Sequence, residues 1–309
     1  MPPKKKFRSD AKPWLEQATA VCPLPPVDPT APSSLLAVAT EVAGIVFVDA
    51  VTLALAPTVR ERVDGVKACW LAASPNGEVL VALGHLPGVS AAYAADDIVV
   101  VPDVHVRSAA ARRGPFVLAL PDLVSTHIAG LAVLHDGVFA VNLTNDNLKD
   151  VLFFPPGSVG CGPRQLGATC GRFVRAFDDE VDDQANCAVA AIPFAVELDA
   201  TGAALCAVAE SGLQCVSIVR GKDGQLLRRI RVRDHGRLSR LDVVPLLMAP
   251  TCLTAARAPC GAADGVDGPI PCLLASEPLQ ARCSVVRLAD GQVREHVGFR
   301  RSVRSRFLL

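Results

Sequence analysis

The chain is poor in aromatic residues, 5% of 309, with one tyrosine and two tryptophans, and it has only two methionines. A core with so little aromatic volume must be filled by Ala, Val and Leu, which suits thin, closely packed strands. Net charge is absent as well: 31 Lys and Arg balance 31 Asp and Glu, so no global pull toward nucleic acid or membrane follows, and only local patches remain for such roles. No G-x-S-x-G elbow, P-loop or G-x-G-x-x-G fingerprint occurs. The six histidines, at 85, 105, 127, 135, 235 and 296, have no second His or Cys at metal-ligand spacing. The sequence therefore names no catalytic residue, metal ligand or cofactor, and the chain reads as a non-enzyme.

Further absences narrow the class. None of the eleven cysteines forms a C-x-x-C pair, and the count is odd. Cys69, Cys206 and Cys215 sit inside apolar runs, so buried reduced thiols are expected rather than a disulfide framework or a metal site. The first eight residues are charged and no apolar stretch follows them, which speaks against a secretory leader. The one long apolar stretch, residues 35–59, carries Glu41 and Asp49. An Asp at the centre of a membrane helix costs about 2.5 to 3.5 kcal/mol, so this stretch is expected to form strands and not a membrane span. No capping box leads into a helical stripe.

What is present is a series of hairpins. Two apolar runs within residues 66–84 flank Ser74-Pro75-Asn76-Gly77, where proline presets a turn and Asn-Gly supplies positive φ. The pattern returns at 195–209 around Asp199-Ala200-Thr201-Gly202, and at 131–143 around His135-Asp136-Gly137. Further strands are expected at 35–40, 45–49, 90–93, 98–101, 116–120, 151–154, 213–219, 225–232, 241–244 and 272–275, with 51–55 continuing the sheet. Gly77, Gly137 and Gly202 recur 60 and 65 residues apart, and Gly224 and Gly291 are separated by 67. Repeated units of short antiparallel strands predict an all-β, β-propeller-like fold, although propeller blades are usually nearer 40 to 50 residues. Either the loops are enlarged or neighbouring blades are merged.

The expected organisation is a basic, proline-rich tail over 1–32, an ordered domain over 33–299 with a loop insertion near 155–187, and a basic C-terminal tail over 300–309. Lys4, Lys5, Lys6 and Arg8 fit the short basic pattern of a nuclear import signal, against the alternative of a solubilising tail. Asp178, Asp179, Glu180, Asp182 and Asp183 repel one another and lack calcium-loop spacing, so a solvated segment is expected there. The strongest charge feature is Arg228, Arg229, Arg231 and Arg233. On a strand, 229, 231 and 233 share a face, and guanidinium forks suit carboxylate or phosphate. This cluster is the candidate partner-binding site; the plain alternative is a strand edge kept soluble by charge.

Ser34-Leu35-Leu36-Ala37-Val38-Ala39, then Gly44-Ile45-Val46-Phe47-Val48, then Trp70-Leu71-Ala72-Ala73-Ser74 and Leu80-Val81-Ala82 resemble the opening blades of the N-terminal propeller of the cytoplasmic-face nucleoporin family. That resemblance implies a non-enzymatic docking scaffold at the nuclear pore. Its partner would be a DEAD-box mRNA-export helicase or another pore subunit, any RNA contact would be indirect, and the location would be nuclear, with the cytoplasm as alternative. Residues 213–219 and 226–244, with Asp234-His235-Gly236, are similar to a late blade of the exchange factor that starts vesicle-coat assembly. A WD-repeat-like adaptor and a propeller enzyme are the remaining alternatives.

Overall fold

A computed structural model describes residues 18–24, 35–50, 52–56, 59, 62–88, 97–106, 108–120, 127–144, 150–160, 162, 164–174, 189–191, 202–210, 213, 215–231, 240–246, 270–277, 282–287 and 293–298. They form five sheets. The first holds β1 (Ala18–Pro23), β2 (Leu35–Thr40), β3 (Gly44–Asp49) and β4 (Arg62–Val63). The second runs through β5 (Lys67–Ala73), β6 (Leu80–His85), β7 (Asp97–Val101) and β8 (Phe116–Ala119). The third contains β9 (His127–Val133), β10 (Phe139–Thr144) and β11 (Asp150–Phe154). After the two-residue β12 (Arg164–Gln165), which pairs in parallel with β8, it ends on β13 (Gly171–Val174). The fourth holds β14 (Val189–Ala191), β15 (Leu205–Glu210), β16 (Cys215–Arg220) and β17 (Leu226–Arg231), and the fifth β18 (Arg240–Leu246), β19 (Ile270–Glu277), β20 (Arg282–Arg287) and β21 (Val293–Gly298).

Apart from β12, a fifth strand added in parallel to the β8 edge of the second sheet, neighbouring strands within each sheet are antiparallel, and the first strands pack in succession: β1 on β5, β5 on β9, β9 on β14, β14 on β18. Four-stranded meanders stacked through their first strands make the fold all-β and propeller-like. Stacking buries both faces of the middle sheets, which is why their strands read as continuous apolar runs rather than alternating ones. Ala37 and Phe47 meet Leu80 and Val99 between the first and second sheets. Val81, Leu83 and Val100 meet Leu131, Phe139 and Val141 between the second and third. Ala140, Val151 and Phe153 meet Cys206, Val208 and Val219 between the third and fourth. Phe139 and Phe154, both fully buried, lie with ring centroids 6.3 Å apart. Each such ring contributes about 1.5 to 3 kcal/mol of burial. Trp70 adds a polar tie, donating its Nε1–H to the Leu131 carbonyl across the second and third sheets at 2.9 Å.

Among the described residues, Gly77, Gly137 and Gly202 each precede the second strand of their sheet. Gly77 lies between β5 and β6 and Gly137 between β9 and β10, with φ of 68° and 83°. Gly202 precedes β15, and residue 291 falls between β20 and β21 as Gly224 falls between β16 and β17. Each period of 60 to 67 residues thus carries one sheet, and the connections are enlarged.

Four expectations on extent change. The ordered part does not begin at residue 33: β1 lies inside the segment read as a tail, pairing along β2, with Thr19 Oγ1 donating to the Ala68 carbonyl at 2.5 Å. In place of a strand over 51–55, the described residues there form an isolated bridge, Leu55 to Val48. β4 forms where no strand is expected, and the insertion near 155–187 contains β12 and β13, so the third sheet is completed by a piece of it. These outer strands are short and carry no apolar run of their own. Residues 90–93, 178–183, 194–198 and 300–309 lie outside the described residues. Among the described residues no helix is long and apolar enough to cross a membrane.

Candidate functional site

Strand β17 is the outermost strand of the fourth sheet. A tight turn delivers the chain to it: the Arg220 N–H donates to the Gln225 carbonyl at 2.9 Å, and the Gly224 N–H to the Arg220 carbonyl at 2.9 Å. Asp223 braces this turn, accepting from Arg220 Nη1 at 3.0 Å and from the Gln225 N–H at 3.1 Å. Gly224 is required, because its φ is +72° and a Cβ there would fall 2.2 Å from the Arg172 carbonyl oxygen on β13. The outer edges of the third and fourth sheets are thereby held together.

Along β17, Arg229 stands opposite Ser217 and Arg231 opposite Cys215, while Arg228 stands opposite Ile218. Arg229 and Arg231 therefore share one face, as expected; Ile230 between them is buried and both arginines are exposed. Arg228 is half-buried on the other face. Arg233, and Lys4, Lys5, Lys6 and Arg8 of the import-signal reading, lie outside the described residues.

Arg229 is also built into its own sheet. Its Nε donates to Glu210 Oε2 at 2.9 Å and its Nη2 to Oε1 at 3.5 Å. Glu210, only 2% exposed, also accepts from Ser217 Oγ at 2.8 Å and Cys215 Sγ at 3.2 Å. A carboxylate this deep persists because several donors replace its water. The bond to Glu210 pushes the Arg229 pKa further up, so the guanidinium stays charged. Burial first, and the Glu210 charge second, push the Cys215 thiol up to about 12. It is a protonated donor at neutral pH and not a nucleophile.

The third sheet uses a related device. Arg172 on β13 donates its Nε to Asp150 Oδ2 at 2.6 Å, with the Asp150 side chain 4% exposed. In both sheets an outer-strand arginine is anchored on a buried acid and keeps part of its guanidinium in solvent: side-chain exposure is 54% for Arg172 and 39% for Arg229. The basic loop after β7 is closed on itself. Arg113 forks onto Asp103 at 2.7 and 2.9 Å, and Arg112 Nε reaches the Val106 carbonyl. From residue 205 to 231, five cationic side chains face two carboxylates, Glu210 and Asp223. In a chain with no net charge this stretch of sequence carries an excess of positive charge.

Among the described residues no group of three or more His, Cys, Asp or Glu is placed to hold a metal ion. Cys206 and Cys215 are buried free thiols, whereas Cys69, expected to be buried, is exposed on β5 beside buried Ala68. The residue of the candidate site not expected from the sequence is Glu210. Its signal was a lone acid closing the apolar run of residues 203–209, with an arginine 19 positions later.

No protein-family model matches the chain, and no curated protein matches it significantly. Solved structures with a similar course are dihydro-heme d1 dehydrogenase NirN in complex with DHE, at 12% identity and TM-score 0.43, covering 90% of this chain and 46% of that one. Hydrazine synthase of Kuenenia stuttgartiensis follows at 14% identity and TM-score 0.41, covering 74% and 48%. A protein of unknown function from Bacteroides caccae has 10% identity and TM-score 0.45, covering 85% and 72%. The chain spans about half the length of the first two structures. No substrate, cofactor or partner is carried over from them.

Proposed function

We propose that the chain is a non-enzymatic docking platform that receives an acidic protein partner on the outer strand β17. The observation that carries this reading is the pair Arg229 and Arg231, exposed on one face of an edge strand and standing in a local excess of positive charge. Guanidinium groups fork onto carboxylates, and rim charges of this kind steer encounter and fix register. The resemblance of residues 34–82 to the nucleoporin propeller supports a narrower reading, in which the partner is a DEAD-box mRNA-export helicase or another pore subunit and the location is the nuclear pore.

The test is a pull-down from nuclear lysate with the intact chain and with Arg231→Glu, a surface change that leaves the fold intact. Recovery of a DEAD-box helicase or pore subunits by the intact chain, lost in the variant, supports both readings. Recovery of the same partners by both forms refutes β17 as the docking strand. Recovery of RNA in place of protein overturns the choice of partner class.

A further inference from the structure

Resting on the docking reading, we infer that Glu210 is a positioning residue that presets Arg229, and that Arg229 with Arg231 recognises carboxylates at alternate positions of an extended acidic segment. The geometry points to this in three steps. Residues two apart on a strand are separated by about 6.8 Å, and an extended segment lying alongside repeats its side chains at the same interval. Carboxylates at positions i and i+2 of the partner therefore meet the two guanidinium groups in register, whereas adjacent carboxylates point to opposite faces. The Leu226–Arg228 register shift, which skips residue 227, ends the regular edge, so the straight stretch is short and holds one such pair.

Glu210 supplies the third step. A free arginine loses side-chain entropy when it is fixed by a ligand. Arg229 is already held through Nε by a buried acid that Ser217 and Cys215 hold in turn, and 39% of its side chain remains in solvent. Its orientation is set before the partner arrives.

Net charge and orientation make opposite predictions for one variant. Glu210→Gln removes a negative charge near the docking face. If only net charge mattered, binding of an acidic segment would tighten. If Glu210 orients Arg229, binding weakens.

The experiment is fluorescence anisotropy at fixed salt with the intact chain and two labelled synthetic peptides of equal charge, one alternating Glu and Val, the other carrying its Glu residues as a block. The expected result is tighter binding of the alternating peptide, about tenfold loss on Arg231→Ala, and several-fold loss on Glu210→Gln. Arg229→Lys, which keeps the charge but not the fork, lowers affinity as much as Arg229→Ala; this variant decides the matter if Glu210→Gln melts below the assay temperature. Tightening or no change on Glu210→Gln in a folded protein, or full affinity in Arg229→Lys, overturns the positioning role while β17 docking survives through the Arg231→Ala result. Equal binding of both peptides overturns the alternate-carboxylate specificity. Absence of binding by the intact chain overturns both the inference and the docking reading.

Discussion

Replacing Glu210 by alanine removes the acceptor of three side chains at once. The Ser217 hydroxyl is fully buried, and leaving it without an acceptor costs about 1 to 3 kcal/mol. Breaking a fully buried ion pair by deleting one partner costs about 3 to 5 kcal/mol, but Arg229 keeps 39% of its side chain in solvent and rehydrates, so only a fraction applies. The thiol is a weak donor and adds little. Together these give a loss of about 2 to 4 kcal/mol, or a drop in melting temperature of roughly 3 to 6 °C for a chain of this size. Urea unfolding followed by tryptophan fluorescence suits the measurement, because Trp70 is tied across the second and third sheets. The double variant Glu210→Ala with Ser217→Ala should lose less than the sum of the single changes, by about 0.5 to 3 kcal/mol, since the two residues share one bond. A loss below about 0.5 kcal/mol for Glu210→Ala, or strict additivity, would refute the network.

Gly224→Ala combines a positive φ with a Cβ placed 2.2 Å from the Arg172 carbonyl, so a destabilisation above about 2 kcal/mol is expected in the same unfolding assay. The Cys215 thiol titrates higher folded, at about 12, than in the unfolded chain, near 8.5. Its contribution is therefore complete below pH 8.5 and is lost as pH rises through 12, at up to about 1.4 kcal/mol per pH unit. Cys215→Ala should flatten that alkaline limb of the stability profile. A thiol-alkylating reagent at pH 8 should label Cys69 in the native protein and spare Cys215, as read by peptide mass spectrometry. Trp70→Phe keeps the apolar ring and deletes the bond to Leu131, so unfolding free energy should fall by about 1 kcal/mol.

Two of the three hairpins, around Gly77 and Gly137, were legible in the sequence because their turns are chemically explicit, whereas residues 195–201 of the third lie outside the described residues and the described partner of β15 is β14. Ser74-Pro75-Asn76-Gly77 folds with the Gly77 N–H donating to the Ser74 carbonyl at 2.8 Å, and Asp136 accepts from the Val138 N–H at 3.0 Å. Strand identity followed from the apolar runs between such turns. Outer strands escaped because β4 and β12 have two residues each and β13 four, too few to show a period. β1 was hidden by the prolines around it. Its pairing depends on a partner strand beyond the connection and not on local signal. At the candidate site, the shared face of Arg229 and Arg231 follows from strand periodicity alone. Glu210 does not: its burial and its bonds to residues on β16 and β17 arise only when three strands register, and no local pattern distinguishes it from a solvent-facing acid at a strand end. The exposure of Cys69 was hidden for a related reason, since an apolar run does not say which of its members faces out.

Hydrogen–deuterium exchange of the intact chain, with and without the alternating Glu–Val peptide, tests the central claim most directly. The account predicts that added protection concentrates on residues 226–231 and on the facing strand 215–220, and that it vanishes in Arg231→Glu. Protection centred on another sheet, with residues 226–231 unchanged at saturating peptide, would contradict docking on the outer strand of the fourth sheet.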